Sequence, residues 1–193
     1  YKIKRKVFNK FLGMIYFIYG EDSYRTKEKL DEIVLHYKKV HKSGLNLIYI
    51  DAKEPFGASQ GKKECKDLID SLKIVSMFAE KKLVILKNVF TDKKFQEDLS
   101  AELKNLKESK DIVVIYEKEK VDERSKIFKL LQKDAKCQEF CCLKGIALRN
   151  WVLQKFEKNN AKVDSFAVDF LLNFTGGDLW QLKNEINKLV GYK

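Results

Sequence analysis

The residues best placed to hold a nucleotide are Tyr19-Gly20-Glu21-Asp22-Ser23-Tyr24-Arg25-Thr26-Lys27, directly after the first apolar run of the chain. A loop that cradles phosphates needs glycines for close backbone approach, a lysine for the terminal phosphates and a Ser/Thr hydroxyl for magnesium. Gly20 supplies the first glycine, but the second glycine and the Gly-Lys-Ser/Thr ending are absent. Glu21 and Asp22 place negative charge where polyphosphate would sit. Gly20, Glu21, Asp22 and Ser23 therefore read as a degenerate phosphate loop, which argues against ATP held in the usual mode. The stretch 87–92, after the third apolar run, lacks the paired acids that hold magnesium and activate water beside such a loop. Glu117 and Glu119 follow the fourth run, where catalytic acids could stand. They alternate with Lys118 and Lys120 and read as a solvated charged loop. No Ser-His-Asp or Cys-His set presents itself. Cys65, Cys137, Cys141 and Cys142 form no Cys-x-x-Cys pair, and His36 and His41 share no ligand spacing with them. Free buried thiols in a reducing cytoplasm are expected, with no metal and no other cofactor.

Elements that would position these residues follow from the apolar pattern. Runs at 15–19, 45–50, 83–86, 112–116 and 137–143 are rich in Ile, Val and Tyr and lack strict alternation. Runs of that length suit strands covered on both faces, as in a parallel sheet. Helix-period segments lie between them at 24–39, 62–76, 93–106 and 122–134, the third carrying Phe95, Leu99, Leu103 and Leu106 on one face. The alternation predicts an open α/β fold with right-handed crossovers. Three further helices are predicted at 147–157, 164–174 and 178–190, the last two capped by Asp164 and Asp178. Residues 14–143 would form the α/β domain and residues 144–193 a small helical one.

Composition narrows the classes. With 45% apolar and 12% aromatic residues, the chain of 193 can bury an ordinary core. No apolar stretch approaches the roughly 20 residues that a spanning helix needs, so no membrane partner is expected. The net charge of +11 points toward polyanions, but only Arg5, Arg25, Arg124 and Arg149 are arginines, the residue suited to bidentate phosphate contacts. Residues 1–13 hold Lys2, Lys4, Arg5, Lys6 and Lys10 and no acid. A lysine-rich solvated surface accounts for most of the rest. That leader followed by an apolar run resembles a signal peptide, yet no small-x-small cleavage site follows. Met14 is the expected start, with 1–13 an upstream or added extension.

One segment stands apart from any catalytic reading. Val75-Ser76-Met77-Phe78-Ala79-Glu80 puts two large apolar residues at a turn between a helix and the third strand. Buried, Met77 and Phe78 would cap the core. Exposed, they would form a wedge for a partner's apolar pocket, a task suited to an adaptable and a rigid anchor.

Four pieces taken in order resemble the delta subunit of the bacterial DNA polymerase III clamp loader. They are the opening 14–24, with its apolar strand and Gly20-Glu21-Asp22; the turn and strand at 76–86; the helix start at 122–129; and 174–189 near the end. The resemblance implies an AAA+-like domain, with an open parallel five-stranded sheet and helices on both faces, followed by a three-helix lid. It implies that Met77 and Phe78, supported by Leu72, Ile74 and Val75, enter the sliding clamp (beta subunit) and open its ring or hold it open for loading onto primed DNA. It further implies partnership of the full-length protein with the gamma/tau and delta prime subunits, DNA contact mainly through the assembled complex, and no ATP hydrolysis by the chain itself. The family's helical collar domain has no counterpart in the sequence, so the expected chain binds a clamp without joining the motor subunits. Two rival readings are an active AAA+ or other P-loop ATPase, and a basic DNA-binding module.

Overall fold

The structure is a computed structural model that describes residues 15–41, 46–53 and 81–192. The predicted helix over 62–76, the leader, Cys65 and the clamp-binding candidates Leu72, Ile74, Val75, Met77 and Phe78 lie outside those residues. The chain divides into two compact units between Phe140 and Cys141.

In the first unit, β1 (Ile15–Tyr19), β2 (Leu47–Asp51), β3 (Leu83–Lys87), β4 (Ile112–Tyr116) and β5 (Lys136–Glu139) form one sheet in the order β2-β3-β4-β1-β5. Every pairing is parallel, with Phe17 opposite Ile115 and Cys137, and Ile85 opposite Tyr49 and Val114. The strands with neighbours on both sides are the ones the sequence made continuously apolar, and all five residues of β4 are buried. Successive side chains point to opposite faces, and the core divides accordingly. Phe17, Val84, Leu86, Val113 and Ile115 pack on one face with Phe95, Leu99, Leu103 and Leu106 of α2 (Lys93–Glu108) and with Ile127 and Leu131 of α3 (Lys126–Asp134). Ile18, Leu83, Ile85, Ile112, Val114 and Tyr116 pack on the other with Leu30, Val34 and Tyr37 of α1 (Ser23–Val40). Helices therefore cover both faces, as the alternation predicts.

Two boundaries differ from expectation by about a helical turn or a strand's length, the other described ones by a residue or two. Helix α3 starts at Lys126, because Ser125 caps it by accepting the Phe128 N–H while its own hydroxyl bonds Asp122 O. Residues 122–125 are a turn instead of the first helical turn. Strand β5 stops at Glu139 although the apolar run continues to Leu143. The Phe140 N–H donates to Tyr19 O as the last rung of the β1–β5 ladder, and the Phe140 carbonyl then accepts the Asp22 N–H from the loop after β1.

The second unit packs α4 (Gly145–Lys158), α5 (Ser165–Thr175) and α6 (Leu179–Gly191). Asp164 accepts the Ala167 N–H, and Asp178 accepts those of Trp180 and Gln181, so both acids cap helices. The core comprises Leu148, Trp151, Val152 and Phe156 with Val168, Leu171, Leu179, Leu182 and Ile186. The helical apolar spacing of this segment runs through Ala167, Phe170, Leu171 and Phe174. The buried stripe is Val168, Leu171 and Thr175 instead, and Phe166, Phe170 and Phe174 are exposed. A helix apolar around most of its circumference can bury only the face its two neighbours cover.

Candidate functional site

The C-terminal edge of a parallel sheet is where ligands of open α/β domains bind, and here the loops at that edge are bonded to the chain's own groups. Gly20 has φ +136, a conformation that side chains disfavour, and a Cβ there would lie 2.3 Å from Phe140 O. The close approach is a stitch. Phe140 N–H donates to Tyr19 O at 2.8 Å, and Asp22 N–H donates to Phe140 O at 3.0 Å. The backbone at the end of β5 thus lies alongside the loop after β1 and is bonded to it on both sides of Gly20.

Asp22 then takes the place an anion could occupy. A helix N-terminus offers unpaired N–H groups and a favourable dipole to phosphate. At α1 the Asp22 carboxylate, 5% exposed, accepts the Arg25 N–H at 2.9 Å and pairs with the Arg25 guanidinium at 3.4 Å. Thr26 Oγ1 donates to Asp22 O at 2.7 Å, and the Arg25 guanidinium lies 5.3 Å from the Phe140 ring centre. Glu21 remains exposed and Ser23 half-buried. Gly20, Asp22 and Ser23 are therefore structural parts of a closed turn.

The other strand ends are tied in the same way. Asn88, with φ 56, follows β3 and donates from Nδ2 to Asp51 Oδ1 at 2.6 Å, while the Lys53 N–H reaches the same oxygen at 3.0 Å. Glu117 corrects the solvated-loop reading, because it is only 4% exposed. Its carboxylate accepts the Phe90 N–H at 3.3 Å, and its own N–H donates to Ile18 O. Burial pushes its carboxyl up to about 7, moderated by the Phe90 and Val89 N–H groups and by Lys53. Glu119 is exposed, as a loop residue should be. The alternation with lysines hid Glu117; its position directly after a fully apolar strand was the usable signal. The thiols also differ from expectation, since Cys137 is half-buried and Cys141 and Cys142 are exposed. Among the described residues no three His, Cys, Asp or Glu side chains could share a metal.

A family model described as DNA polymerase III, delta subunit, matches residues 16–140. The chain belongs to the DNA polymerase III delta subunit family. The delta match spans the sheet from Tyr16 onward, through Phe140 at the end of β5. A solved structure of the Bacillus subtilis DNA clamp loader delta protein is similar at TM-score 0.64 and 21% identity, over 92% of this chain and 53% of that one. Domain III of the Thermotoga maritima replication initiation protein DnaA is similar at TM-score 0.54 and 16% identity, over 93% and 76%. The Thermotoga maritima RuvB Holliday junction branch migration motor is similar at 0.57 and 11%, over 95% and 56%. These identities show a shared fold, the AAA+-like α/β sheet with its helical lid. The delta-family chain spans about half the length of the Bacillus subtilis protein it matches. No curated protein matches it. No described helix is long and apolar enough to cross a membrane.

Proposed function

We propose that this chain acts as the clamp-engaging part of a clamp loader, binding a sliding clamp through Met77 and Phe78 and performing no nucleotide hydrolysis. The observation that carries the reading is the delta-family match over residues 16–140, a span that includes the Met77-Phe78 segment. The turn at Gly20–Asp22 supports it, because the Asp22 carboxylate already accepts an N–H at the start of α1 that a phosphate would use, and the turn is bonded to the Phe140 backbone. With that N–H taken, the chain works through surface contacts. Burial of Met77 and Phe78 in a clamp pocket, with Leu72, Ile74 and Val75 as flanking support, favours the clamp state that exposes the pocket. That differential binding stabilises an open ring over a closed one. In a complete loader the gamma/tau and delta prime subunits would supply ATP hydrolysis, and DNA would be met mainly in the assembly, in the cytoplasm.

The test is Met77→Ser with Phe78→Ser, assayed for binding to the sliding clamp of the same organism and for thermal stability. Loss of clamp binding with the melting temperature nearly unchanged is the expected result. A large drop in melting temperature would mean that the pair caps the core, and retained binding would move the clamp site elsewhere.

A further inference from the structure

Two of the thiols expected to be buried, Cys141 and Cys142, are consecutive in the chain and both exposed. They stand between β5 and α4, past the last rung of the β1–β5 ladder and before Gly145, the first helical residue. The backbone is held one residue earlier, where Phe140 O accepts the Asp22 N–H at 3.0 Å. Two residues later, Lys144 is extended, with φ −139 and ψ 156, and leads into α4. Cys137 is a thiol of another kind. It is half-buried in β5, its Sγ donates to Leu131 O at 3.3 Å, and burial pushes its thiol pKa up. A covered thiol that holds its proton is a poor nucleophile and a poor ligand.

Adjacent exposed cysteines suit a narrow class of ligand. Consecutive Cα atoms lie about 3.8 Å apart across a trans peptide, short of the roughly 4.4–6.8 Å that an ordinary disulfide spans. Direct closure of an S–S bond is therefore strained. One atom inserted between the two sulfurs widens the ring and relieves that strain. The atom must be thiophilic and satisfied by two protein ligands, because among the described residues no three His, Cys, Asp or Glu side chains could share a metal. Zinc, which takes four ligands at a structural site, does not fit. Trivalent arsenic that already carries one organic group does.

We propose that Cys141 and Cys142 form a two-thiol site for trivalent organoarsenicals, one arsenic bridging both sulfurs. An arsenoxide R–As=O reacts with the two S–H groups to give two As–S bonds. The As=O bond breaks, and its oxygen leaves as water with the two thiol protons. Arsenic stays trivalent, so the step needs no oxidant or reductant. After the first As–S bond forms, the second thiol closes the ring from one residue away, at high effective concentration. The site is separate in sequence from Met77 and Phe78 and does not depend on the clamp-binding reading.

Phenylarsine oxide is the probe, read by intact-protein mass spectrometry of the folded chain in excess 2-mercaptoethanol. A monothiol displaces singly bonded arsenic, whereas a two-sulfur bridge persists. The parent should retain one equivalent and lose it to excess dithiothreitol, itself a dithiol. Cys141→Ser and Cys142→Ser should each hold the probe about 100-fold more weakly, the gain expected from joining two attachments. Cys65→Ser and Cys137→Ser should retain it like the parent. Parental retention by Cys141→Ser or Cys142→Ser would overturn the proposal. So would loss of the adduct in Cys65→Ser or Cys137→Ser, which would place the bridge on another pair of thiols. Melting curves check that each variant is folded, and Cys141→Ala and Cys142→Ala replace either serine variant that is not.

Discussion

Glu117 shows how one side chain answers to its surroundings and not to its sequence neighbours. Lys118 and Lys120 lie beside it in the chain, yet the carboxyl is buried at the end of β4 and meets the Phe90 N–H. Desolvation disfavours its charged form, which moves its carboxyl up to about 7 from the usual 4.5. Between those values the folded protein holds a proton that the unfolded chain has released. Stability therefore falls as pH rises through that window, by on the order of 3 kcal/mol at about 1.4 kcal/mol per unit of displacement. Glu117→Gln keeps an acceptor for Phe90 and carries no charge at any pH. Urea unfolding at pH 5 and pH 8 should show the variant gaining on the parent by up to that amount at the higher pH. An unchanged difference between the two proteins at both values would mean that the carboxyl is not the group responsible. The Met77-Phe78 pair stands at the opposite extreme of legibility. Its residue types and its place before the third strand raised it from sequence, while a resemblance was needed to choose wedge over core.

At the level of elements, the sequence patterns that worked were those with one physical cause. β1 and β4 match their apolar runs end to end, because strands buried on both faces leave no position for a polar residue. The helix starts at Asp164 and Asp178 were readable because a short acceptor must stand where N–H groups lack partners. Where two causes compete, the pattern misleads. Phe140 is apolar enough to extend β5, but its backbone is needed to close the turn after β1, and Phe170 and Phe174 lost the inner face of α5 to Val168 and Leu171. The stitch between these two strand ends carries its own prediction. Gly20→Ala would set a methyl 2.3 Å from Phe140 O in a backbone conformation that alanine resists. The expected loss is about 2–4 kcal/mol, read as a lower urea midpoint with an unchanged slope. A variant within 0.5 kcal/mol of the parent, by the usual scale of neutral surface changes, would show that β1 and Phe140 separate freely.

For the whole molecule, an AAA+-like sheet and a degenerate phosphate loop have to be reconciled. The sheet order β2-β3-β4-β1-β5 puts the end of β1 between its neighbours β4 and β5, where an AAA+-like domain would hold nucleotide. In this chain Phe140 at the end of β5 is bonded to the loop after β1, Asp22 caps α1, and Glu117 and Asn88 make hydrogen bonds at the flanking strand ends. Opening the site would require breaking the Gly20–Phe140 stitch and bringing polyphosphate against Glu21 and Asp22. A ligand that binds only the folded state stabilises it by about 2.7 kcal/mol at a hundred times its dissociation constant, a shift visible in any melting curve. Millimolar ATP with magnesium should therefore leave the melting temperature of this chain within about 1 °C of its value without nucleotide, which at the 2–4 °C per kcal/mol expected for this size corresponds to well under 1 kcal/mol. A saturable upward shift of several degrees would restore the ATPase reading and would mean that Phe140 yields to the ligand. The same titration on Asp22→Ala separates the two obstacles. If charge alone excludes ATP, removing the carboxylate admits it; if the Phe140 stitch excludes it, the variant is less stable by about 1 kcal/mol for the lost cap and still shows no shift.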